Sequence, residues 1–247
     1  MTQNFTPGLM SVIVPAYNAE AYLAETLASV LRQNWEPLEL LVVDDGSSDR
    51  TVAVAKDFGD LARVIACSHR GLAATRNSGI TAAHGEFILH LDADDLLTPM
   101  SIFTRMQHFT ADPTFDMVVG KLMCFLSPEL SNEERARYAT PPDPQPGHLP
   151  GAAIIRAAAF DKYGLLDERL AVNADLDWWV RARDEGARVR LIEDVVVKRR
   201  IHGKNLTLMS KAELDASRLQ IVRASLARRR RGMREVKGAM HESSRCS

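Results

Sequence analysis

Apolar and polar positions fall into two alternating patterns along the first half of the chain. Met10–Pro15 is a short continuous apolar run of strand length. Ala19–Asn34 follows with Tyr22, Leu23, Leu27, Val30 and Leu31 at helical spacing. Leu38–Val43 is a second apolar run, and a helix is expected over Asp49–Phe58, with Ser48 as its N-cap. Arg63–Cys67 reads as a third strand, Gly71–His84 as a helix and Glu86–Leu91 as a fourth strand. Strands that are apolar throughout, each followed by a helix, predict an α/β fold: a mostly parallel central sheet with helices on both faces.

The second half is less regular. Thr98–Thr110 and Asp175–Glu185 are predicted helices, the latter capped by Asn173, and Arg156–Tyr163 a shorter one. Asp116–Gly120, Gly151–Ile155, Val189–Ile192 and Val195–Lys198 read as strands. Ser127–Pro150 holds six prolines and few apolar residues, the composition of a loop or lid rather than a domain boundary. A C-terminal helix is expected over Ser210–Arg231, where Leu219, Val222 and Leu226 share a face.

Composition narrows the classes. At 247 residues, 46% hydrophobic and 26% charged, the chain has the make-up of a soluble globular protein with ample core. Lys+Arg (31) balances Asp+Glu (32), which argues against a nucleic-acid partner. Cys67, Cys124 and Cys246 are far apart, so neither a zinc knuckle nor a disulfide framework is expected, and a cytoplasmic setting fits. Met1–Met10 lacks the pattern of a signal peptide, and no apolar run is long enough to span a membrane. The basic run Arg228–Arg231 beyond the apolar stripe reads either as a solvated helix end or as a peripheral contact at the inner face of a membrane.

The chemistry concentrates at strand ends. Phe87–Leu91 runs into Asp92, Ala93, Asp94 and Asp95, and three carboxylates so close together repel one another and need water or a cation. Oxygen ligands favour Mg²⁺ or Mn²⁺, ions that arrive with substrate phosphates. Asp44 and Asp45 end another apolar run and could accept from a base N–H or ribose hydroxyls, or serve turn chemistry in the sequence DDGSS. Pro15, Ala16, Tyr17 and Asn18 end the first strand, and the three polar clusters should share the crevice at the carboxyl ends of a parallel sheet. Arg76 suits phosphate, or pins Asp92 or Asp45 as an ion pair. Asp177 has Arg181 one helical turn on, whereas Asp175 has only Trp178 and Trp179 as neighbours at i+3 and i+4. Asp175 is therefore the candidate general base, with helix-dipole stabilisation as the simpler explanation. Lys198, Arg199, Arg200, His202 and Lys204 form a basic cluster, in which His202 could ligate a metal or contact phosphate.

Six segments together resemble an inverting family 2 glycosyltransferase of the GT-A fold: VIVPAYN (Val12–Asn18), VVDDGSSDRT (Val42–Thr51), GLAATRNSGI (Gly71–Ile80), GEFILHLDADD (Gly85–Asp95), ADLDWWVRA (Ala174–Ala182) and RIHGKNLT (Arg200–Thr207). The resemblance implies a single domain over 1–247, with 10–97 binding a nucleotide sugar, 98–208 binding the acceptor and 209–247 a helical basic tail. It implies a nucleotide-sugar donor, here expected to be a UDP-sugar, with the nucleotide held by Pro15, Tyr17 and Asp45 beside Asp44; Ala16, Asn18, Arg76, Asp92, Ala93, Trp178 and Arg200 complete the candidate substrate-binding set. It implies Mn²⁺ or Mg²⁺ on Asp94 and Asp92 with His202, Asp95 as a further ligand, and Asp175 as catalytic base. The acceptor, whether glycan, lipid-linked sugar, peptide or small molecule, is not specified.

The chain departs from the family pattern at Ala174, where the family has Glu, and at Arg199, where it often has an aromatic residue. It also lacks the QxxRW block and membrane helices of processive polysaccharide synthases. Two alternatives stand beside this reading. A sugar-phosphate nucleotidyltransferase would usually carry a Gly-rich basic loop where this chain has Pro15–Asn18. A non-catalytic nucleotide-sugar-binding protein would account for Ala174.

Overall fold

A computed structural model describes residues 5–138, 140–147, 150–203, 205 and 214–229. The strands are β1 (Thr6–Ala16), β2 (Leu38–Asp44), β3 (Arg63–Ala66), β4 (Gly85–His90), β5 (Leu96–Leu97), β6 (Met117–Leu126), β7 (Gln145–Pro146), β8 (Ala153–Arg156) and β9 (Val189–Ile201). The helices are α1 (Leu23–Leu31), α2 (Thr51–Lys56), α3 (Leu72–Ala82), α4 (Ser101–Ala111), α5 (Asn132–Arg137), α6 (Ala158–Tyr163), α7 (Ala174–Asp184) and α8 (residues 214–229), with a 3-10 turn at Gly59–Leu61.

One sheet runs β3-β2-β1-β4-β8-β6-β9-β5, with β7 paired to β6. Strands β1 to β4 are mutually parallel, β8 is antiparallel to both β4 and β6, and β9 runs parallel to β6. The chain builds outward from β1 to β3 and then returns to β4 on the other side of β1. That reversal leaves a crevice at the carboxyl ends of β1 and β4, where ligands bind in open α/β sheets. The core strands are apolar on both faces because helices cover both: Val12, Ile13, Val14, Leu41, Val42, Ile88 and Leu89 are all buried. Pro15 fits this central strand because the Ile13 carbonyl accepts from Leu91 N–H, so Pro15 turns its missing donor to the same side, past the last β1–β4 pair.

Several elements differ from the sequence expectation, each for a tertiary reason. The helix expected over Ala19–Asn34 is confined to Leu23–Leu31, and Tyr22 stands just before it. Helix α2 starts at Thr51 with Arg50, not Ser48, in the N-cap position and no side-chain cap, and Asp49 just before it accepts from Thr51 N at 2.9 Å. The predicted helix start at Thr98 moves to Ser101, because β5 pairs with β9 and the Thr98 hydroxyl is spent on the Val195 carbonyl. The two expected strands Val189–Ile192 and Val195–Lys198 are one strand with irregular register opposite Val119–Leu122, and β9 continues to Ile201. The Pro-rich segment is not wholly loop. It contains α5, whose Ser131 and Glu134 form a reciprocal capping box, and β7. Lys204, Arg230, Arg231 and most of 209–247 lie outside the described residues.

Helix α3 lies against β1 at close range, and a Cβ on Gly79 would stand 2.3 Å from Ile13 Cγ2. Gly79→Ala should therefore overpack the layer and cost about 1–3 kcal/mol, read as a lower urea midpoint at unchanged slope.

Candidate active site

The three carboxylates that end β4 go to three different partners. Asp92 Oδ1 accepts from Arg76 at 2.7 Å, and the other terminal nitrogen of Arg76 stands 3.8 Å from Asp175 Oδ1. Asp94 Oδ2 lies 2.9 Å from His202 Nε2 and accepts from Asn205 at 3.0 Å. Asp95 is buried and accepts the backbone N–H of Arg200 at 2.9 Å. Burial pushes the Asp92 and Asp95 carboxyls up, Asp95 well above the usual carboxylate range, and neighbouring acids add to it. The cluster is thus neither a solvated turn nor three equivalent ligands: Asp95 clamps β9, while Asp92 and Asp94 face the crevice.

Arg76 is 3% exposed, so it acts from below the crevice rather than from its wall. Of the two partners expected for it, the structure selects Asp92. Asp45 is held elsewhere, accepting from the backbone N–H groups of Arg70 and Gly71 at 2.9 and 3.0 Å, with His69 Nδ1 at 2.9 Å. Asp44 Oδ2 accepts from Gly46 and Ser47 N–H, and its buried Oδ1 has no partner. The loops after β1 and β2 are tied together by Asn18, whose left-handed backbone (φ 48°) aims its Oδ1 at Ser48 N, 2.9 Å away. Tyr17 is exposed and stacks on His69 with ring centroids 4.3 Å apart, an aromatic platform beside Asp45. The Ala16 and Ala93 carbonyls accept from Asp45 N–H and the Thr26 hydroxyl. They join neighbouring segments of the site.

Four expectations need correction. Arg200, expected at the substrate, is 3% exposed. It donates to the Asp94 carbonyl, Ser127 Oγ and Glu25, between the rings of Tyr22 and Phe125. Trp178 is likewise core: it donates to the Gly164 carbonyl at 2.6 Å and stacks on Phe160. Asp175 does lack a charge partner on its own helix, as Asp177 takes Arg181, but α3 supplies one in Arg76. Asn173 occupies the N-cap position of α7 through its carbonyl, which accepts from Asp177 N–H, not through its side chain.

Sequence reasoning missed Tyr22, Glu129 and Asn205. The Tyr22 ring packs on His202 at 4.5 Å and its hydroxyl donates to Glu129 at the start of the Pro-rich segment. Burial and that bond push the Tyr22 phenol up to about 12, while Ser127 and Tyr22 hold Glu129 down at about 2. No single-sequence signal marks Tyr22 or Glu129, because Tyr22 satisfies the apolar helix pattern and Glu129 sits in an unpatterned loop, whereas Asn205 lies in the segment RIHGKNLT without being singled out there.

A cation is implied by the carboxylates, and the donor set can be tested against it. Among the described residues no three His, Cys, Asp or Glu side chains assemble into a metal cage. Asp94 and His202 adjoin, however, and one or two protein ligands completed by phosphate oxygens and water is how Mg²⁺ is usually held. The residues therefore fit a cation that comes with a phosphorylated ligand.

The sheet and the polar crevice at its strand ends define a GT-A-type protein. The chain belongs to glycosyltransferase family 2, whose family model, glycosyl transferase family 2, matches residues 11–164. It is 27% identical over 231 residues to an uncharacterised glycosyltransferase of Rickettsia typhi, covering 87% of this chain and 71% of that one. It is 29% identical over 220 residues to the uncharacterised glycosyltransferase EpsJ of Bacillus subtilis, covering 81% and 63%. The fold matches S. aureus TarS residues 1–349 in complex with UDP-GlcNAc with a TM-score of 0.64 at 21% identity, over 81% of this chain and 61% of TarS 1–349. A UDP complex of the same TarS fragment matches with a TM-score of 0.61 over 78% and 60%. The chain thus spans about three-fifths of the TarS fragment. Family membership sets the nucleotidyltransferase alternative aside. No helix among the described residues is long and apolar enough to cross a membrane.

His90, the last residue of β4, is buried with both ring nitrogens unpartnered, and burial, with Arg76 nearby, holds its pKa down at about 3. Its unfolded value is near 6.5, so between the two the unfolded chain binds the extra proton, and stability falls as pH drops from about 6.5 towards 3. His90→Leu should flatten that acid limb by up to about 1.4 kcal/mol per pH unit in denaturant titrations at several pH values.

Proposed function

We propose that the chain transfers a sugar from a nucleotide-sugar donor, a UDP-sugar, to an acceptor hydroxyl by single displacement with inversion at the anomeric carbon. The observation that carries this reading is the bridge from Asp92 through Arg76 to Asp175. It holds a candidate base at a set distance from the carboxylates that would face the leaving diphosphate. Tyr17 offers its exposed ring to the nucleobase, and Asp44, with a free buried oxygen, accepts from base or ribose. Asp94 and His202 would hold Mn²⁺ or Mg²⁺, which when bound offsets the charge developing on the diphosphate.

The protein's own part in the displacement is small. The acceptor oxygen attacks the anomeric carbon, the bond from that carbon to the β-phosphate oxygen breaks on the opposite face, and the hydroxyl proton passes to Asp175. Asp175 is partly exposed at the first turn of α7, open to an acceptor on one side and steadied by Arg76 on the other. Ala174, where the family has Glu, is buried against the core and brings no carboxylate to this step, so the proton is left to Asp175 alone. Arg200 acts at a remove: by gripping the Asp94 carbonyl while its N–H holds Asp95, it positions the loop that presents Asp94.

In a donor-hydrolysis or transfer assay Asp94→Ala should lower turnover roughly 10²–10³-fold and abolish its dependence on Mn²⁺. Unchanged metal dependence would overturn the metal assignment. Asp175→Asn should lower turnover about 10²–10⁴-fold while the thermal shift produced by UDP is retained. If Asp177→Asn is the more damaging change, Asp175 is not the base. Donor binding without turnover on any acceptor would instead favour a non-catalytic binding protein.

A further inference from the structure

Helix α8 is amphipathic in an unusual sense, with its larger apolar residues turned away from the protein. Its inward side is mostly small or polar groups around Ile221, with Leu214 half-buried at the start of the helix: Ser217, Ile221 and Ser225 are buried, and the Ser217 hydroxyl donates to the Val172 carbonyl. The contact is fastened by charge, since Asp184 at the end of α7 accepts from Arg228 at 3.3 Å and Arg229 at 2.7 Å. Leu219, Val222 and Leu226 remain 50%, 53% and 49% exposed. At about 100° per residue these three fall in a narrow stripe on the outward side. Exposed Arg223 flanks the stripe on one side and exposed Arg218 on the other, Arg218 standing 3.6 Å from Asp215, which continues the line of the stripe towards the start of the helix.

An apolar stripe flanked by arginine, on a helix that carries Arg218, Arg223, Arg228 and Arg229 against the single acid Asp215, suits an interface that is apolar at depth and anionic at its surface. The aliphatic groups sink, and long cationic side chains reach sideways to phosphate. A second copy of the chain fits less well. A two-fold pairing of the helix would bring the same arginines together, and three half-exposed side chains fall far short of the about 800 Å² per partner that a stable dimer buries. We propose that the outward face of α8 docks in the headgroup region of an anionic lipid bilayer. Helix α7 carries Asp175 in its first turn and Asp184 beneath α8 in its last, so the docked face would sit about 14 Å of helix from the candidate base.

The test is co-sedimentation of the full chain, without donor or acceptor, with phosphatidylcholine vesicles with and without phosphatidylglycerol. The outcome is therefore independent of whether the chain transfers sugar. The wild type should partition onto the anionic vesicles and be largely released in about 0.5 M salt. The triple variant Leu219→Gln, Val222→Gln, Leu226→Gln keeps helix-forming residues and every arginine, and should bind at least roughly tenfold more weakly with an unchanged melting temperature. Arg218→Gln with Arg223→Gln should weaken binding and flatten its salt dependence. Absence of binding by the wild type, or equal binding by the triple variant, would overturn the proposal. So would a concentration-dependent dimer in sedimentation velocity that the triple variant dissolves.

Discussion

Asp92, Asp94 and Asp95 crowd the end of a buried strand, and the surrounding structure is arranged to make that tolerable. Ionised carboxylates lose several kcal/mol of hydration on burial unless charge or hydrogen bonds replace it, and neighbouring acids raise the cost further. The chain meets this by recruiting a partner for each from a different element: Arg76 from α3, His202 and Asn205 from beyond β9, and the Arg200 N–H from β9 itself. Helix α3 and the far end of β9 are therefore held where they are by the same groups that form the candidate site.

That arrangement also joins the two halves of the chain. Strand β4 belongs to the parallel half, yet it pairs antiparallel with β8, and its terminal loop is gripped by residues following a strand three places away in the sheet. Arg105 reinforces the junction. It is fully buried, has no carboxylate partner among the described residues and satisfies its guanidinium on Ser101 and the Gly151 carbonyl, while Gly151 N–H donates to the His90 carbonyl. Burial alone brings its pKa down to about 9. The cost of that buried cation fixes the return of the Pro-rich segment beside the end of β4.

Much of this was legible from residue order. Strand and helix alternation from β1 to β4 follows from apolar runs and helical spacing, and the parallel sheet follows from strands apolar on both faces. The placement of Asp45, Asp92 and Tyr17 at one end of that sheet follows in turn, because successive parallel strands present the same end. Boundaries were less legible. Arg50, not Ser48, took the N-cap position of α2, and β9 ran on through a point where polar Glu193 and Asp194 suggest a break, because pairing with β6 outweighed the local signal. The roles of Trp178 and Arg200 were not legible at all. An indole beside Asp175 in the helical register can face substrate or core, and only the position of Phe160 and Gly164 decides it.

By itself, then, the sequence determined the α/β class, the end of the sheet at which polar chemistry collects, and the residue types available there. These are consequences of local periodicity and of where charge can be tolerated on a buried strand. Tertiary structure alone decided how the carboxylates are divided. Asp92 goes with Asp175 through Arg76, Asp94 with His202, and Asp95 with the backbone of β9. A charge's partner is whichever opposite group the fold brings within a few ångströms, and for these residues that group is many positions away in the chain.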